Sequence, residues 1–146
     1  MVTGAGMYSV STDLAAFDLD AVYRFLAEEA YWSKGLPRAV FDRALAHSIC
    51  FGGFVDGAQV AFGRVITDRA TFAYLADVFV LPDYRGRGYS KRLMDAVVAH
   101  PDLQGLRRMV LVTGDAHGLY GRYGFTPLAA PDRYMELHRP DAYRRG

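Results

Sequence analysis

The 146-residue chain is poor in cysteine and in net charge, and each shortage excludes a class of protein. With Cys50 as its only cysteine, the chain can form no internal disulfide, and the apolar neighbours of Cys50 favour a packed thiol. The formal net charge of +1 gives no reason to expect a nucleic-acid or membrane partner. No apolar run approaches transmembrane length, and residues 1–9 do not read as a signal peptide. We therefore expect a cytoplasmic protein in a reducing compartment.

Histidine is also scarce, and the spacing of the histidines excludes the usual metal sites. They show no metal-ligand spacing and read as surface or packing residues: His47, His100, His117 and His138. We therefore expect no metal. Basic side chains do cluster between residues 85 and 92 and in the tail, but no aromatic platform is interleaved with them. A nucleic-acid binder is therefore a weak interpretation.

What the chain does have is enough apolar sequence for one domain, residues 1–146, with no repeat or linker. Residues 1–7 and 140–146 are expected to be loosely ordered. Local patterns predict strands at 8–10, 49–55, 59–66, 72–81, 109–113 and 134–137, and helices at 18–30, 37–48, 90–100 and 117–123. This order predicts an α/β (α+β) fold whose sheet is mixed and mostly antiparallel. It also predicts a central parallel pair of strands and helices on the faces of the sheet.

The most informative stretch, residues 77–94, reads as a buried strand, a glycine-rich turn and the first turns of an amphipathic helix. Gly86 and Gly88 lie where the strand becomes the helix, and glycine lets a ligand approach the backbone closely. Backbone amides at the positive end of a helix dipole suit an anion such as a pyrophosphate. On the glycines alone, a plain turn with solvated arginines is the better interpretation.

Two common nucleotide motifs do not fit this turn. A phosphate loop needs Gly-Lys-Ser/Thr, which is absent, and the dinucleotide fingerprint needs a third glycine where this chain has Lys91. The motif that does fit is Arg85-x-x-Gly88-x-Ser90, preceded by Val80-x-Pro82-x-Tyr84. It resembles the acyl-CoA signature of the GNAT (Gcn5-related) N-acetyltransferase superfamily, Arg/Gln-x-x-Gly-x-Gly/Ala. Ser90 departs from that signature, but serine is small, so we expect the cradle to survive.

Residues 119–125 resemble a second segment of the same superfamily, Leu/Phe-Tyr-x-x-x-Gly-Phe. Tyr120 matches the tyrosine that often protonates the departing coenzyme A thiolate. The superfamily commonly has an Asn that contacts the pantetheine arm where this chain has Thr113, so we expect that contact to be altered or replaced by water. Aromatic packing is the alternative for Tyr120 and Tyr123, and we adopt it for Tyr123 alone.

The resemblance implies acetyl-CoA as cosubstrate, bound by the strand end, the turn and the start of the helix. A backbone amide near Phe79 and Val80 would polarise the thioester carbonyl. The cofactor-binding residues that the resemblance implies are Val78, Phe79, Val80, Arg85, Gly86, Arg87, Gly88, Tyr89, Ser90, Lys91 and Thr113.

The acceptor side is less defined. Asp77 is the only acid in the apolar run of residues 72–81, and an acid in a mostly buried strand needs a reason. Three roles stay open for it: general base, anchor for the acceptor's ammonium group, and structural acid. Tyr31 and Trp32 lie between the first two helices, where two aromatics suit a lid that binds a small amine by cation–π contact. Packing onto the helix pair is nearly as good an interpretation.

These observations favour an N-acetyltransferase that moves an acetyl group directly from acetyl-CoA to an amine in a ternary complex. We expect the acceptor to be a small molecule rather than a protein. The alternative is a non-catalytic module that binds or senses acyl-CoA. The sequence leaves the oligomeric state open, a homodimer included.

Overall fold

A computed structural model describes residues 7–144, in which five strands form one mixed sheet with the order β1-β2-β3-β4-β5. The strands are β1 (Tyr8–Ser11), β2 (Ile49–Val55), β3 (Ala58–Thr67), β4 (Phe72–Val80) and β5 (Arg108–Val110). Strands β1 to β4 are antiparallel neighbours, and β4 and β5 are parallel. A parallel pair needs a crossover connection, and a helix supplies it here. The predicted α/β fold with one parallel pair is confirmed.

Four α-helices flank the sheet: α1 (Leu19–Arg24), α2 (Arg38–Ala46), α3 (Tyr89–Ala99) and α4 (His117–Gly121). The Asp18 carboxylate accepts a hydrogen bond from the Ala21 amide and so caps α1, which continues as a π-helical segment, Phe25–Glu29. Pro37 sits at the N-cap of α2. The sequence placed these helices within a few residues because caps, prolines and apolar spacing are all local features.

The core lies on both faces of the sheet. In β2, Cys50 belongs to the cluster under α1 and α2, whereas its neighbour Phe51 belongs to the cluster under α3 and α4. Successive residues of a strand point to opposite faces, so the two helix pairs cover opposite sides of the sheet. Cys50 is buried, as expected.

Gly53 of β2 leaves room for the side chain of Tyr8. A Cβ at Gly53 would lie 2.1 Å from the hydroxyl oxygen of Tyr8. The Tyr8 hydroxyl occupies that space and donates a hydrogen bond to the Tyr89 carbonyl at 3.0 Å, while the two tyrosine rings stack at 4.1 Å between centroids. The missing side chain therefore lets β1 hold the first turn of α3.

Two irregularities open the sheet beside β4. Phe62 pairs with Phe79 and Arg64 pairs with Ala76, so β4 carries one extra residue there, a β-bulge. Asp77 lies in the bulge with φ 58, in the left-handed region. In addition, β4 pairs with β5 only from Phe72 to Tyr74, so within the described chain the rest of β4 has a strand partner on its β3 side alone.

The prediction of a last strand at residues 134–137 was wrong. These residues lie in no sheet, and Met135 and Leu137 are 97% and 79% exposed. The local alternation of side chains resembles a strand, but a strand also needs a ladder partner, and sequence pattern alone does not supply one. The expected strand at 109–113 is likewise shorter, because pairing with β4 stops at Val110.

The expectation of loose ends falls partly on residues 1–6 and 145–146, which lie outside the described residues. Ala142–Arg144 form a short 3-10 helix, and the Tyr143 side chain lies beside the α1–α2 connection. Across residues 7–144 no helix is both long and apolar enough to cross a membrane.

Candidate active site

The glycine turn before α3 is open and left-handed at two positions. Gly86 and Gly88 have φ 79 and φ 78. A Cβ at either glycine would meet nothing within 4 Å, so the space beside the backbone is free. Gly88 is the N-cap of α3 and no side chain caps the helix, which leaves its first-turn amides without a side-chain acceptor. Such a terminus on an eleven-residue helix is suited to a phosphate group.

The predicted basic residues around this turn are partly anchored by the protein. Arg85 donates from Nε to the Val80 carbonyl at 2.9 Å, which ties the turn to the end of β4. Arg87 donates to the Asp83 carbonyl at 3.3 Å and lies over the Tyr84 ring. Each arginine side chain forms one hydrogen bond with the protein and is otherwise exposed, so its positive charge lies beside the turn.

Several residues that were predicted to bind the cofactor have buried side chains, so only their backbone can contact a ligand. The Phe79 ring packs into the core against Phe25, 4.0 Å between centroids, and the Tyr89 ring is buried against Tyr8. Val80 is buried as well, whereas Val78 is half-buried. A ligand lying between β4 and β5 would therefore meet the open backbone edge of β4 rather than these side chains.

Tyr120 lies on α4, the helix that follows β5 in the chain. Its ring is buried beside Phe125, with 6.0 Å between the ring centroids. Within residues 7–144 the Tyr120 hydroxyl has no hydrogen-bond partner, and no fully buried side-chain oxygen is left unpaired there, so this hydroxyl reaches the surface. Burial of the ring, together with the charge of Asp115, raises the pKa of Tyr120 above its usual value of 10.0.

The Thr113 side chain forms hydrogen bonds at the start of α4. Its hydroxyl oxygen accepts hydrogen bonds from the amides of Ala116 at 3.0 Å and Asp115 at 3.4 Å. These bonds fix the start of α4 and thus the position of Tyr120. The Thr113 hydroxyl can still donate one hydrogen bond, so the predicted contact with a cofactor stays a prediction.

Asp77 and Trp32, both singled out from the sequence, are brought together. Trp32 donates from Nε1 to Asp77 Oδ1 at 2.8 Å, and Arg64 of β3 donates from Nε to Asp77 Oδ2 at 2.6 Å. The Arg64 and Asp77 side chains are only 17% and 13% exposed. Arg64 also donates from Nη1 to the Ser48 hydroxyl at 3.1 Å. The bulge carboxylate is therefore connected both to the α1–α2 connection and to the end of α2.

Trp32, Arg64 and Asp77 line a recess of about 80 Å³ on the α1 and α2 side of the sheet. Its other walls come from α2 and from the C-terminal segment, and they include Val40, Phe41, Leu45 and Tyr143. Tyr31 does not line the recess: it is 80% exposed and packs edge-to-face on Trp32, 5.2 Å between ring centroids.

Sequence reasoning missed Arg64 and Tyr143. The one available signal was that Arg64 is the only charged residue between positions 58 and 67. No group of three or more His, Cys, Asp or Glu side chains that could hold a metal ion is found among the residues described.

The structure thus combines an open strand-to-helix turn suited to an anion, an unpaired edge of β4 and a tyrosine hydroxyl that has no partner within residues 7–144. The Acetyltransferase (GNAT) family pattern matches residues 13–125, which is most of the chain. The protein therefore belongs to the GNAT family and is an acyltransferase.

Two similar proteins agree with this assignment. A candidate acetyltransferase of the GNAT family from Xanthomonas campestris pv. campestris is 60% identical in sequence. Its crystal structure superposes with a TM-score of 0.91, over 95% of this chain and 98% of the other. A candidate acetyltransferase from Gibberella zeae is 35% identical, covering 80% of this chain and 77% of its own length.

A predicted acetyltransferase from Clostridium acetobutylicum, solved with acetyl-CoA, is 18% identical. Its TM-score of 0.59, over 90% of this chain and 95% of the other, concerns the fold alone.

Proposed function

We propose that the protein transfers an acetyl group from acetyl-CoA to the amine of a small molecule, directly and within a ternary complex. The observation that carries this proposal is the arrangement about β4. The Asp77 recess lies on the α1 and α2 side, and Tyr120 lies with α3 and α4 on the other. The unpaired edge of β4 lies between them. Two substrates can therefore approach one point from opposite faces, which supports direct transfer without a covalent enzyme intermediate.

The residues present fit acetyl-CoA. Its pyrophosphate would bind the amides after Gly88, with Arg85 and Arg87 adding positive charge, because a Cβ-free backbone there leaves open space. When bound, acetyl-CoA supplies an activated thioester. The β4 edge near Phe79 and Val80 would hold an extended arm and place an amide near the carbonyl.

Tyr120 is the proton donor in this proposal. Its hydroxyl has no partner to satisfy within the described chain, and its raised pKa keeps it protonated at neutral pH. A protonated hydroxyl at the surface of an apolar cluster can donate its proton to the departing thiolate as the C–S bond breaks, while the proton lost by the attacking amine passes to water. Thr113 and α4 hold that hydroxyl in place.

For Asp77 we favour the anchor over the base. Each of its oxygens already accepts one hydrogen bond, and Arg64 compensates its negative charge. A charged, well-held carboxylate orients an amine effectively, and each oxygen keeps a lone pair for that purpose. Trp32, held beside it, forms the lid over the acceptor. The cytoplasmic location stays a sequence-based prediction, and the homodimer stays open.

The test is release of coenzyme A thiol from acetyl-CoA over a panel of small amines, with a peptide amine included. We expect turnover with at least one small amine and more slowly, or not at all, with the peptide, because the recess of about 80 Å³ is small. Saturable binding of acetyl-CoA with no thiol release on any amine would favour the non-catalytic binding module instead.

Asp77→Asn separates the three roles. If Asp77 is an anchor, the substitution should raise the acceptor KM. If Asp77 is the base, the substitution should lower kcat. In both cases the affinity for coenzyme A should stay near the wild-type value. Asp42→Asn is the matched control, because Asp42 is also paired with an arginine, Arg38, but on the exposed face of α2. A lower melting temperature with unchanged kinetics would assign Asp77 a purely structural role.

A further inference from the structure

We propose that the acceptor is a small zwitterion, a compound that carries a carboxylate close to the amine that is acetylated. This inference rests on the proposed function and names its substrate class. It comes from the pairing of Arg64 with Asp77 inside the recess, at 2.6 Å between Nε and Oδ2.

The charge of the recess is the first argument. Its lining contains two charged residues, Arg64 and Asp77, and they are of opposite sign. A simple cationic amine would gain from Asp77 but would be repelled by the neighbouring guanidinium. A ligand that carries both signs meets a complementary partner at each end. The recess therefore discriminates in favour of zwitterions rather than cations.

The second argument is the unused hydrogen-bonding capacity of the pair. Arg64 donates from Nε and Nη1, and within residues 7–144 its Nη2 has no partner. Each Asp77 oxygen accepts one hydrogen bond and can accept another. A carboxylate on Nη2 and an ammonium or amine on Asp77 can therefore be added without breaking the existing bridge.

The third argument is the free energy that is needed to bury this ion pair. Removing two charges from water is expensive, and a buried ion pair is often no more stabilising than apolar residues of the same size. Arg64 and Asp77 are nonetheless 17% and 13% exposed among apolar neighbours from α2. Asp77 is also held at φ 58 in the bulge, and backbone conformations of this kind concentrate at functional sites. Recognition of a ligand accounts for both costs.

The size and walls of the recess narrow the class further. For comparison, an apolar cavity of about 150 Å³ binds one benzene molecule. A recess of about 80 Å³ therefore holds the polar end of a small molecule and little more. Val40 and Leu45 provide an apolar wall for a short side chain. An amino acid with a short aliphatic side chain has these properties.

Trp32 provides a direct test by fluorescence. It is the only tryptophan of the chain, and its indole donates to Asp77. The protein, saturated with coenzyme A, is titrated with alanine, valine and β-alanine, with the carboxamides of the same compounds, and with ethylamine. Only the carboxylate can form a charge-assisted hydrogen bond with Arg64, so we expect at least one amino acid to bind about tenfold or more tighter than its carboxamide. Equal affinities, or no binding of any amino acid, overturn the proposal.

Variants assign the effect to the guanidinium. Arg64→Met should abolish the preference for the carboxylate. Arg64→Lys keeps the charge but not the planar guanidinium, so it should keep part of the preference for the carboxylate. This variant also serves as the test if Arg64→Met does not fold. Arg38→Met, which removes an exposed ion-paired arginine outside the recess, should leave the preference unchanged. A full preference retained in folded Arg64→Met overturns the proposal.

The failure of this inference is distinguishable from failure of the proposed function. Thiol release with carboxyl-free amines as efficient as with amino acids would leave acetyl transfer intact and remove the zwitterion. Binding of amino acids that depends on Arg64, without thiol release on any amine, would keep the zwitterion site and remove acetyl transfer.

Discussion

Two tyrosines three residues apart show how burial and hydrogen bonding separate a catalytic candidate from a structural one. The Tyr123 hydroxyl contacts both the Lys91 carbonyl and the Asp95 carboxylate on α3, each at 2.7 Å. Tyr120 has no such partner in the part of the chain that the structure describes. Tyr123 thus attaches α4 to α3, whereas the Tyr120 hydroxyl is available to a ligand. The Tyr123 side chain also packs against the apolar cluster under α3 and α4, in keeping with the packing role predicted for it.

Tyr120→Phe removes one hydroxyl and almost no volume. Positioned acid catalysis is worth about a hundredfold to ten-thousandfold in rate, so we expect kcat to fall by about a hundredfold or more, with coenzyme A affinity unchanged. Because burial raises the pKa of Tyr120 above 10.0, the protonated form persists at high pH. In the wild-type enzyme, loss of rate through this group should therefore occur at a higher pH than it would for an exposed tyrosine. Steady-state kinetics across the alkaline range measure both effects.

Tyr123→Phe is the matched control for this experiment. It should lower the melting temperature, because the contacts with α3 are lost, and leave kcat nearly unchanged. A Tyr120→Phe enzyme that keeps most of its kcat while chemistry limits the rate would exclude Tyr120 as the acid.

At this same scale, the sequence indicated Asp77 and Trp32 but not the bond between them. An acid in an apolar strand and an aromatic pair between helices are visible locally, whereas their contact spans 45 positions. Arg64 was missed because its importance comes from the bulge that turns Asp77 towards it. Bulge position and side-chain direction depend on pairing across strands, which a single sequence does not display.

At the scale of elements, the junction between β4 and α3 depends on backbone conformation. Gly88→Val adds a branched side chain where φ is 78 and where the amides face open space. We expect coenzyme A affinity to fall by about tenfold or more, since the loss of one charge-assisted hydrogen bond costs about 1.5–3 kcal/mol. Isothermal titration calorimetry measures this affinity, and circular dichroism confirms that the fold persists.

Gly105→Val separates ligand effects from strain. Gly105 has φ 73 and open space for a Cβ, like Gly88, but it lies in the loop after α3. A left-handed conformation costs a residue other than glycine about 1–2 kcal/mol, so both variants should lose similar stability. Only Gly88→Val should lose coenzyme A affinity. Equal losses of affinity in the two variants would mean that strain, and not the cradle, explains the effect.

Elements with strong local patterns were the most predictable. The prediction for β2, residues 49–55, matches the observed strand because a continuous apolar run is followed by an Asp-Gly turn. The C-terminal part was less predictable: a strand at 134–137 was wrong, and β5 is shorter than expected. In both places the side-chain pattern was present, but the length of the ladder is set by a partner distant in sequence.

For the whole molecule, the position of Tyr8 relates the sheet to the glycine turn before α3. Tyr8 opens β1, and its hydroxyl is fixed on the Tyr89 carbonyl at the start of α3. The Arg92 guanidinium lies over the Tyr8 ring at 4.9 Å and donates to the Tyr8 carbonyl. The edge strand of the sheet thus holds the first turn of the helix to which the anion would bind. Loss of this contact should affect the stability of the whole fold.

Stability should consequently decline at alkaline pH. Burial raises the pKa of Tyr8 from 10.0 to about 12, so the folded state holds this proton more tightly than the unfolded chain. The corresponding contribution to the free energy of unfolding is complete below pH 10 and is lost as the pH rises towards about 12. Burial likewise raises the pKa of Cys50 from 9.0 to about 11. The free energy of unfolding should therefore begin to fall near pH 9.

Urea unfolding of wild type and Tyr8→Phe, from neutral pH to about pH 12, tests this assignment. At neutral pH the variant should be less stable, because it lacks a buried hydrogen bond worth about 0.5–1.5 kcal/mol. Above pH 10 the two curves should converge, since only the wild type loses the Tyr8 contribution. Tyr31→Phe, at a tyrosine that is 80% exposed, should follow the wild type throughout. Parallel curves for wild type and Tyr8→Phe would show that ionisation of Tyr8 does not contribute to alkaline unfolding.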